Sequence, residues 1–414
     1  MKKAIACLLA LPLTLAACGA QGADTAQSQP TTETEPAAES TETAPAQAAD
    51  TGIAGRLREA SMMMSTGSCV YSINEKWDKE TNIETIYLIK TDYSTATQQK
   101  VAAIELEAGV YYGMAAWDDT VDLFLIEHAD QDNAPEWRYT IDVATGSVGE
   151  RQAVDDYFCP AWCDDAAMYA MTYANNYRIT RMDRATGEVS YVSLPEQTQN
   201  LYGLGDKWLI DRIVSPSPLP SMEDGDMYTA VLQNSEREYD LFDPATGEMQ
   251  KVYSYPAIGD EYYYDGRRDG VLYFHHTKLA DENDEASRYL ADVTKLENGE
   301  MVSVVTLEKE YGSLQTLEDE QGELQWIIHS DGNSAEIHDL NDGQTYYPAY
   351  KRETSDNANT GFPQVLLPNG QVMVLYGSVD GSSLEDECAY ATIDRTAYLA
   401  GSTDYTPVEM YKGD

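Results

Sequence analysis

Five histidines, six cysteines and 71 acidic residues are the side chains of this 414-residue chain that could carry chemistry. Their spacing singles out little of it. His275 and His276 lie in Leu272-Tyr-Phe-His-His-Thr277, which reads as a strand, so the two rings point to opposite faces and do not chelate one metal together. They read as histidines with satisfied hydrogen bonds at an edge or in a core. His128, His329 and His338 stand apart in sequence. There is no His-Glu-x-x-His, no Gly-rich phosphate loop ending in Lys, and no Gly-x-Ser-x-Gly. With so many acids, no pair of carboxylates stands out as a glycosidase dyad. Asp130-Gln-Asp-Asn-Ala-Pro-Glu136 and Asp281-Glu-Asn-Asp-Glu285 offer alternating oxygen ligands but lack the Gly and distal Glu of a helix–loop–helix calcium site. They read as solvated loops, with calcium as the alternative, and no other cofactor is expected.

The bulk composition sets wider limits. A formal charge of -44 leaves no basic footprint for nucleic acid or an anionic lipid surface. A hydrophobic content of 43% is too high for a wholly disordered acidic chain and is enough for a sizeable core. Met1-Lys-Lys3 followed by the apolar run Ala4–Ala17 is too short to span a bilayer and fits a cleaved export signal. Its end, Leu15-Ala16-Ala17-Cys18, resembles the lipobox of bacterial lipoproteins. The resemblance implies cleavage after residue 17, lipidation of the Cys18 thiol and a location on the extracytoplasmic face of a membrane. Gly19, where a retained inner-membrane lipoprotein of Gram-negative bacteria would carry Asp, implies no such retention. Residues 19–50 hold no Lys, Arg, aromatic, Val, Ile, Leu or Met, so they cannot bury enough to offset ordering. Residues 18–52 therefore read as the lipidated cysteine and an acidic tether with a coil span of roughly 30 Å.

Ile53, Leu57, Ala60 and Met64 recur at helical spacing, which predicts a short helix within 53–66 covering one end of the fold. From 67 to 414 the pattern changes to short alternating runs broken by turns, as in Leu324–His329, Ser330-Asp-Gly-Asn333, Ala335–Leu340 and Asn341-Asp-Gly343. Asp142-Val-Ala-Thr-Gly146, Asp183-Arg-Ala-Thr-Gly187 and Asp243-Pro-Ala-Thr-Gly247 are near copies of one turn, with weaker versions at Asn298-Gly299 and Asp342-Gly343. An aromatic series, Tyr112, Phe158, Tyr202, Tyr263, Tyr311 and Phe362, runs half a unit out of phase. Both marks share a period near ~50 residues, which with four strands per period predicts an all-β β-propeller of about seven blades. Paired β-sandwiches are the alternative. The turn resembles those of quinoprotein-like bacterial propellers. The Trp that commonly follows the Gly there is missing after Gly187 and Gly247, so a quinone cofactor is not implied.

A wheel of blades gives the remaining residues places. The first strand of each blade lines the channel, so Tyr112, Tyr202, Tyr263 and Tyr311 are candidates for an aromatic mouth that takes a sugar or a peptide. Packing between blades would repeat with the same period. Cys69 falls in the first blade and Cys388 in the last, so a Cys69–Cys388 disulfide could close the ring, with Cys159 and Cys163 as a local pair. Four free thiols are the alternative. The resulting expectation is a lipid-anchored propeller acting as a binding or scaffold module for a protein, peptide or glycan. The competing expectation is a glycan-active hydrolase or lyase, marked by perturbed carboxylates beside an Arg in the channel.

Overall fold

The computed structural model describes residues 53–413 apart from 61–62, 68, 130, 132–133, 155–157, 173–177, 222–223, 260, 281–288, 308–312, 331–333, 350, 353–358 and 379–387. The signal segment, Cys18, the tether, Tyr311, the whole of the 281–285 candidate calcium loop and residues 130, 132 and 133 of the other lie outside the described residues.

Seven four-stranded antiparallel units follow one another as a β-propeller. Blade 1 runs from Met63–Ser65 to Thr97–Glu107, blade 2 from Val110–Ala116 to Gln152–Ala153, and blade 3 from Trp162–Cys163 to Val189–Ser193. Blade 4 spans Thr198–Gly203 to Met249–Pro256, blade 5 Tyr262–Arg268 to Glu300–Leu307, blade 6 Ser313–Glu318 to Gln344–Tyr346, and blade 7 Phe362–Leu366 to Thr406–Pro407. Second strands are covered on both faces by the neighbouring blades, and Thr120–Ile126 and Leu324–Ser330 are buried almost without a break, polar residues such as Asp122 and His329 included. Outer strands such as Val189–Ser193 stay exposed and polar.

The repeated turn joins the third and fourth strands, as its position in the period requires. Asp142 Oδ1 accepts from the Thr145 backbone N–H at 2.8 Å and from its hydroxyl at 2.7 Å, and Gly146 at φ +70° closes the turn onto the Asp142 carbonyl. Asp183 and Asp243 make the same Asx-type bonds. These hydrogen bonds hold all three carboxyls below the usual range.

Every blade is built from consecutive residues, so no strand crosses the seam between blades 7 and 1. Two other devices close it. Val70, Tyr93, Leu367 and Met373 form a buried cluster across the seam. Beyond the last strand, Gln98 N–H donates to the Glu409 carbonyl and Glu409 N–H to the Ala96 carbonyl, both at 2.8 Å, so the C-terminal tail lies parallel to the outer edge of blade 1. Tyr411 packs beside Tyr87 there.

Two expectations are corrected. Residues 53–60 and 63–66 contain no helix: the segment is extended, and Arg58–Glu59 pairs with Trp162–Cys163 on the inner edge of blade 3. A helix of such length is marginal alone, and an unpaired sheet edge supplies its backbone groups with partners. The ring-closing disulfide is not formed, since Cys69, Cys159 and Cys163 are free thiols. Strand alternation explains this for Cys69. Its side chain packs with Met64, Tyr71 and residues of blade 2, while Val70 faces blade 7. The side chain of Cys388 lies outside the described residues.

A chain ending after Pro407 loses three backbone hydrogen bonds, the two between Glu409 and blade 1 and that from Val408 N–H to the Tyr390 carbonyl, together with the burial of Val408. Its melting temperature is expected to fall by roughly 3–8 °C by scanning calorimetry, and an unchanged midpoint would show that the tail adds nothing to closure.

Candidate functional site: the channel mouth

In each blade the loop between the first and second strands lies at one end of the channel. Asp118, Asp119, Asp164, Asp165, Asp206, Asp269, Asp319, Glu320 and Glu323 all come from these loops. Five local turns, those of blades 2 to 6, thus gather a strongly acidic mouth from residues spread between 118 and 323.

Residues 54–60 cross that mouth. Ala54 N–H donates to Asp206 Oδ1 at 2.7 Å, and Asp206 N–H returns to the Ala54 carbonyl at 2.9 Å. Arg267 donates to the Gly55 carbonyl. The Arg56 guanidinium reaches Glu318 at 3.1 Å and Glu323 at 3.6 Å. It lies flat on Gly322, where any Cβ would overlap it. Leu57 is buried with Trp162, Leu201 and Trp208 between blades 3 and 4, a burial that contributes about 1.5–3 kcal/mol. Arg58 donates to the Ala116 carbonyl of blade 2 at 2.9 Å, and Ala60 N–H to the Ala161 carbonyl of blade 3 at 2.9 Å. One short segment thereby touches blades 2 to 6.

Two cavities flank this strap, of about 120 Å³ and 320 Å³, both lined by Arg58, Ser65 and Glu320. The larger also meets Trp117, Asp118 and Asp165. Arg184 closes its side, with its guanidinium 4.3 Å over the Trp117 ring and paired to Asp119. Asp118, Asp165 and Glu320 make no ion pair among the described residues. Enclosure by the channel wall pushes Glu318 up to about 7 even though its side chain is 34% exposed. Arg56 opposes the shift, while Glu59 and Asp319 add to it. Enclosure raises Glu59 as well.

The sequence-predicted aromatics sit elsewhere. Tyr112 is buried against Phe124 in the core shared with blade 1. Tyr202 packs against Tyr264 between blades 4 and 5, ring centroids 4.9 Å apart and planes tilted by 54°, and burial raises its hydroxyl pKa. Tyr263 lies on His275 at 5.3 Å and donates to Glu261. Their common period reflects contacts between and within blades. His275 bonds Asp265 at 2.6 Å, whereas His276 meets Tyr262 edge-on, so the neighbouring histidines do face apart. No cluster of three His, Cys, Asp or Glu arranged for a metal occurs among the described residues. Cys159 donates to the Tyr112 carbonyl, and burial pushes the Cys163 thiol up to about 11. Sequence reasoning missed Arg56, Arg58, Glu59 and Glu318. The available signal was an Arg-x-Arg placed where basic residues are scarce.

No helix among the described residues is long and apolar enough to cross a membrane. No family model matches the chain, and no curated protein matches it. Among solved structures it is similar to the β-propeller domain of the Trilobed protease from Pyrococcus furiosus, described as having an open velcro topology. The identity is 10% and the TM-score 0.50, over 87% of this chain and 99% of that one. It is also similar to the acylaminoacyl peptidase of Pyrococcus horikoshii (14% identity, TM-score 0.44, 74% of this chain and 46% of that chain). TolB from Acinetobacter baumannii is a third similar structure (11%, 0.39, 83% of each). The chain thus spans about half the length of the peptidase it matches. At these identities the shared property is the propeller fold.

Because Glu318 is raised from 4.5 to about 7, the folded protein holds a proton there that the unfolded chain releases. Its contribution to stability therefore falls as pH rises between those values. Glu318→Gln is expected to flatten this part of the melting-temperature profile between pH 5 and 7.5, with the variant gaining on the wild type as pH rises. A loss of equal size at every pH would show that the ion pair with Arg56 dominates instead.

Proposed function

We propose that the protein is a lipid-anchored, extracytoplasmic binding module whose acidic channel mouth takes a cationic peptide or protein segment. The observation that carries this reading is the resident strap. The mouth already holds an extended chain through its backbone, and it seats a guanidinium between two carboxylates. Beside that seat lie a cavity of about 320 Å³ and the carboxylates of Asp118, Asp165 and Glu320. A charge of -44 would speed the approach of a basic partner and repel acidic polymers. The lipobox-like Leu15-Ala-Ala-Cys18 and the residues that follow support anchoring.

A second reading, an enzyme acting on extracellular glycans, is favoured by one feature. Glu318 is poised near neutrality beside Arg56 and influenced by Glu59, the setting a general acid or base uses.

A peptide and glycan array separates the two. The binding reading expects retention of basic peptides over acidic ones, salt-sensitive and weakened about tenfold or more (~1.4 kcal/mol) in Asp118→Asn/Asp165→Asn/Glu320→Gln. Depolymerisation of an oligosaccharide that stops in Glu318→Gln would establish the second reading in its place. Equal retention of acidic and basic peptides would defeat the first. Anchoring is checked separately: palmitate labelling and membrane fractionation should both be lost in Cys18→Ser.

A further inference from the structure

We infer that the channel mouth is an exchangeable peptide groove, that residues 54–60 are its resident occupant, and that its external ligand is an extended segment bearing Arg-x-Arg. The inference deepens the binding reading above and rests on it.

The strap displays the recognition elements of a peptide-binding edge. Its backbone is captured by strand addition to blade 3, by the reciprocal pair between Ala54 and Asp206, and by Arg267 on the Gly55 carbonyl. Its side chains fill separate positions. Arg56 takes the Gly322 seat, Leu57 an apolar slot between blades 3 and 4, and Arg58 the wall between the two cavities. The seat reads charge and shape together, because Glu318 and Glu323 supply the charge and the missing side chain of Gly322 leaves the space that the guanidinium occupies.

The resident fills the groove incompletely. Nε and Nη1 of Arg56 are buried and make no hydrogen bond, Nη1 having only its 3.6 Å ion pair with Glu323. Beyond Arg58, Asp118, Asp165 and Glu320 have no cation of their own among the described residues. A segment with the same Arg-x-Arg core and further Lys or Arg would use those three carboxylates, which the strap does not. It therefore has interactions with which to displace the strap. The binding is non-covalent throughout, a swap of one set of strand and ion-pair contacts for another.

The test is a titration of full-length protein against a fluorescent peptide of residues 53–60, Ile-Ala-Gly-Arg-Leu-Arg-Glu-Ala, followed by anisotropy. Arg56→Ala loosens the resident strap, so this variant is expected to bind the peptide at least about tenfold more tightly than wild type. Replacing both arginines of the peptide with Ala should abolish binding. Adding Gly322→Val to Arg56→Ala should abolish it too, by filling the seat. Extending the peptide with two lysines should strengthen binding to the wild type, and Asp118→Asn/Asp165→Asn/Glu320→Gln should cancel that gain. Arg58→Ala, which removes one hydrogen bond to a backbone carbonyl, serves as the loosened variant should Arg56→Ala fail to fold. A cooperatively folded loosened variant that does not bind the peptide, or binds the arginine-free peptide equally well, overturns the groove. If the array still returns basic ligands in that case, the binding reading survives without it. An array without ligands beside a successful titration has the opposite meaning.

Discussion

Arg56, lying on Gly322 between Glu318 and Glu323, fixes the course of a segment that holds the centre of the ring. The constraint behind this is topological. Blades made strictly of consecutive residues leave a seam, and every inner strand leaves an edge of unpaired backbone groups facing the channel. The strap answers the second problem at blade 3 and links blades 2 to 6 across the opening. The tail at Glu409 and the cluster around Val70 and Leu367 answer the first. The C-terminal tail and the seam cluster therefore supply the closure that strand exchange would otherwise provide, while the strap ties five blades together across the mouth.

The same arrangement sets the electrostatics of the mouth. First-to-second strand loops converge there, and their acids would repel one another without counter-charges. Arg56, Arg58, Arg184 and Arg267 supply some of the compensation. Between blades the same residue type locks the joints. Arg184 rests on Trp117, and Arg395 sits 4.8 Å over Trp326. In the interior, Arg138 and Asp122 pair at 2.7 Å while Arg138 also holds the Arg184 carbonyl of the next blade. Few cations in a very acidic chain are thus concentrated where neighbouring blades meet and where the channel opens.

What could be read from sequence followed how local the physics was. The Asp-x-Ala-Thr-Gly turn carries its own hydrogen bonds and positive-φ glycine, so it announced both the strand order and the blade period. The tyrosine period was real, but its cause was packing: Tyr112 and Tyr202 are consumed by contacts with Phe124 and Tyr264. Whether Cys69 could reach blade 7 turned on strand parity, one residue from the opposite answer. Ile53, Leu57, Ala60 and Met64 fitted a helix, yet partners more than a hundred residues away imposed an extended path on the first of them. The acidic mouth was hidden for a related reason. Its members come one loop at a time and become neighbours only when the wheel closes.

Backbone amide exchange across residues 53–60, followed by mass spectrometry on the full-length protein, bears most directly on the claim that this segment is part of the closed ring. If it is, the Ala60 amide, bonded to the Ala161 carbonyl, and the Ala54 amide, bonded to Asp206, exchange orders of magnitude more slowly than a free peptide. Their protection would then approach that of the inner strands. Exchange at the free-peptide rate while the blades remain protected would mean that the ring closes without the strap, and the account would fail.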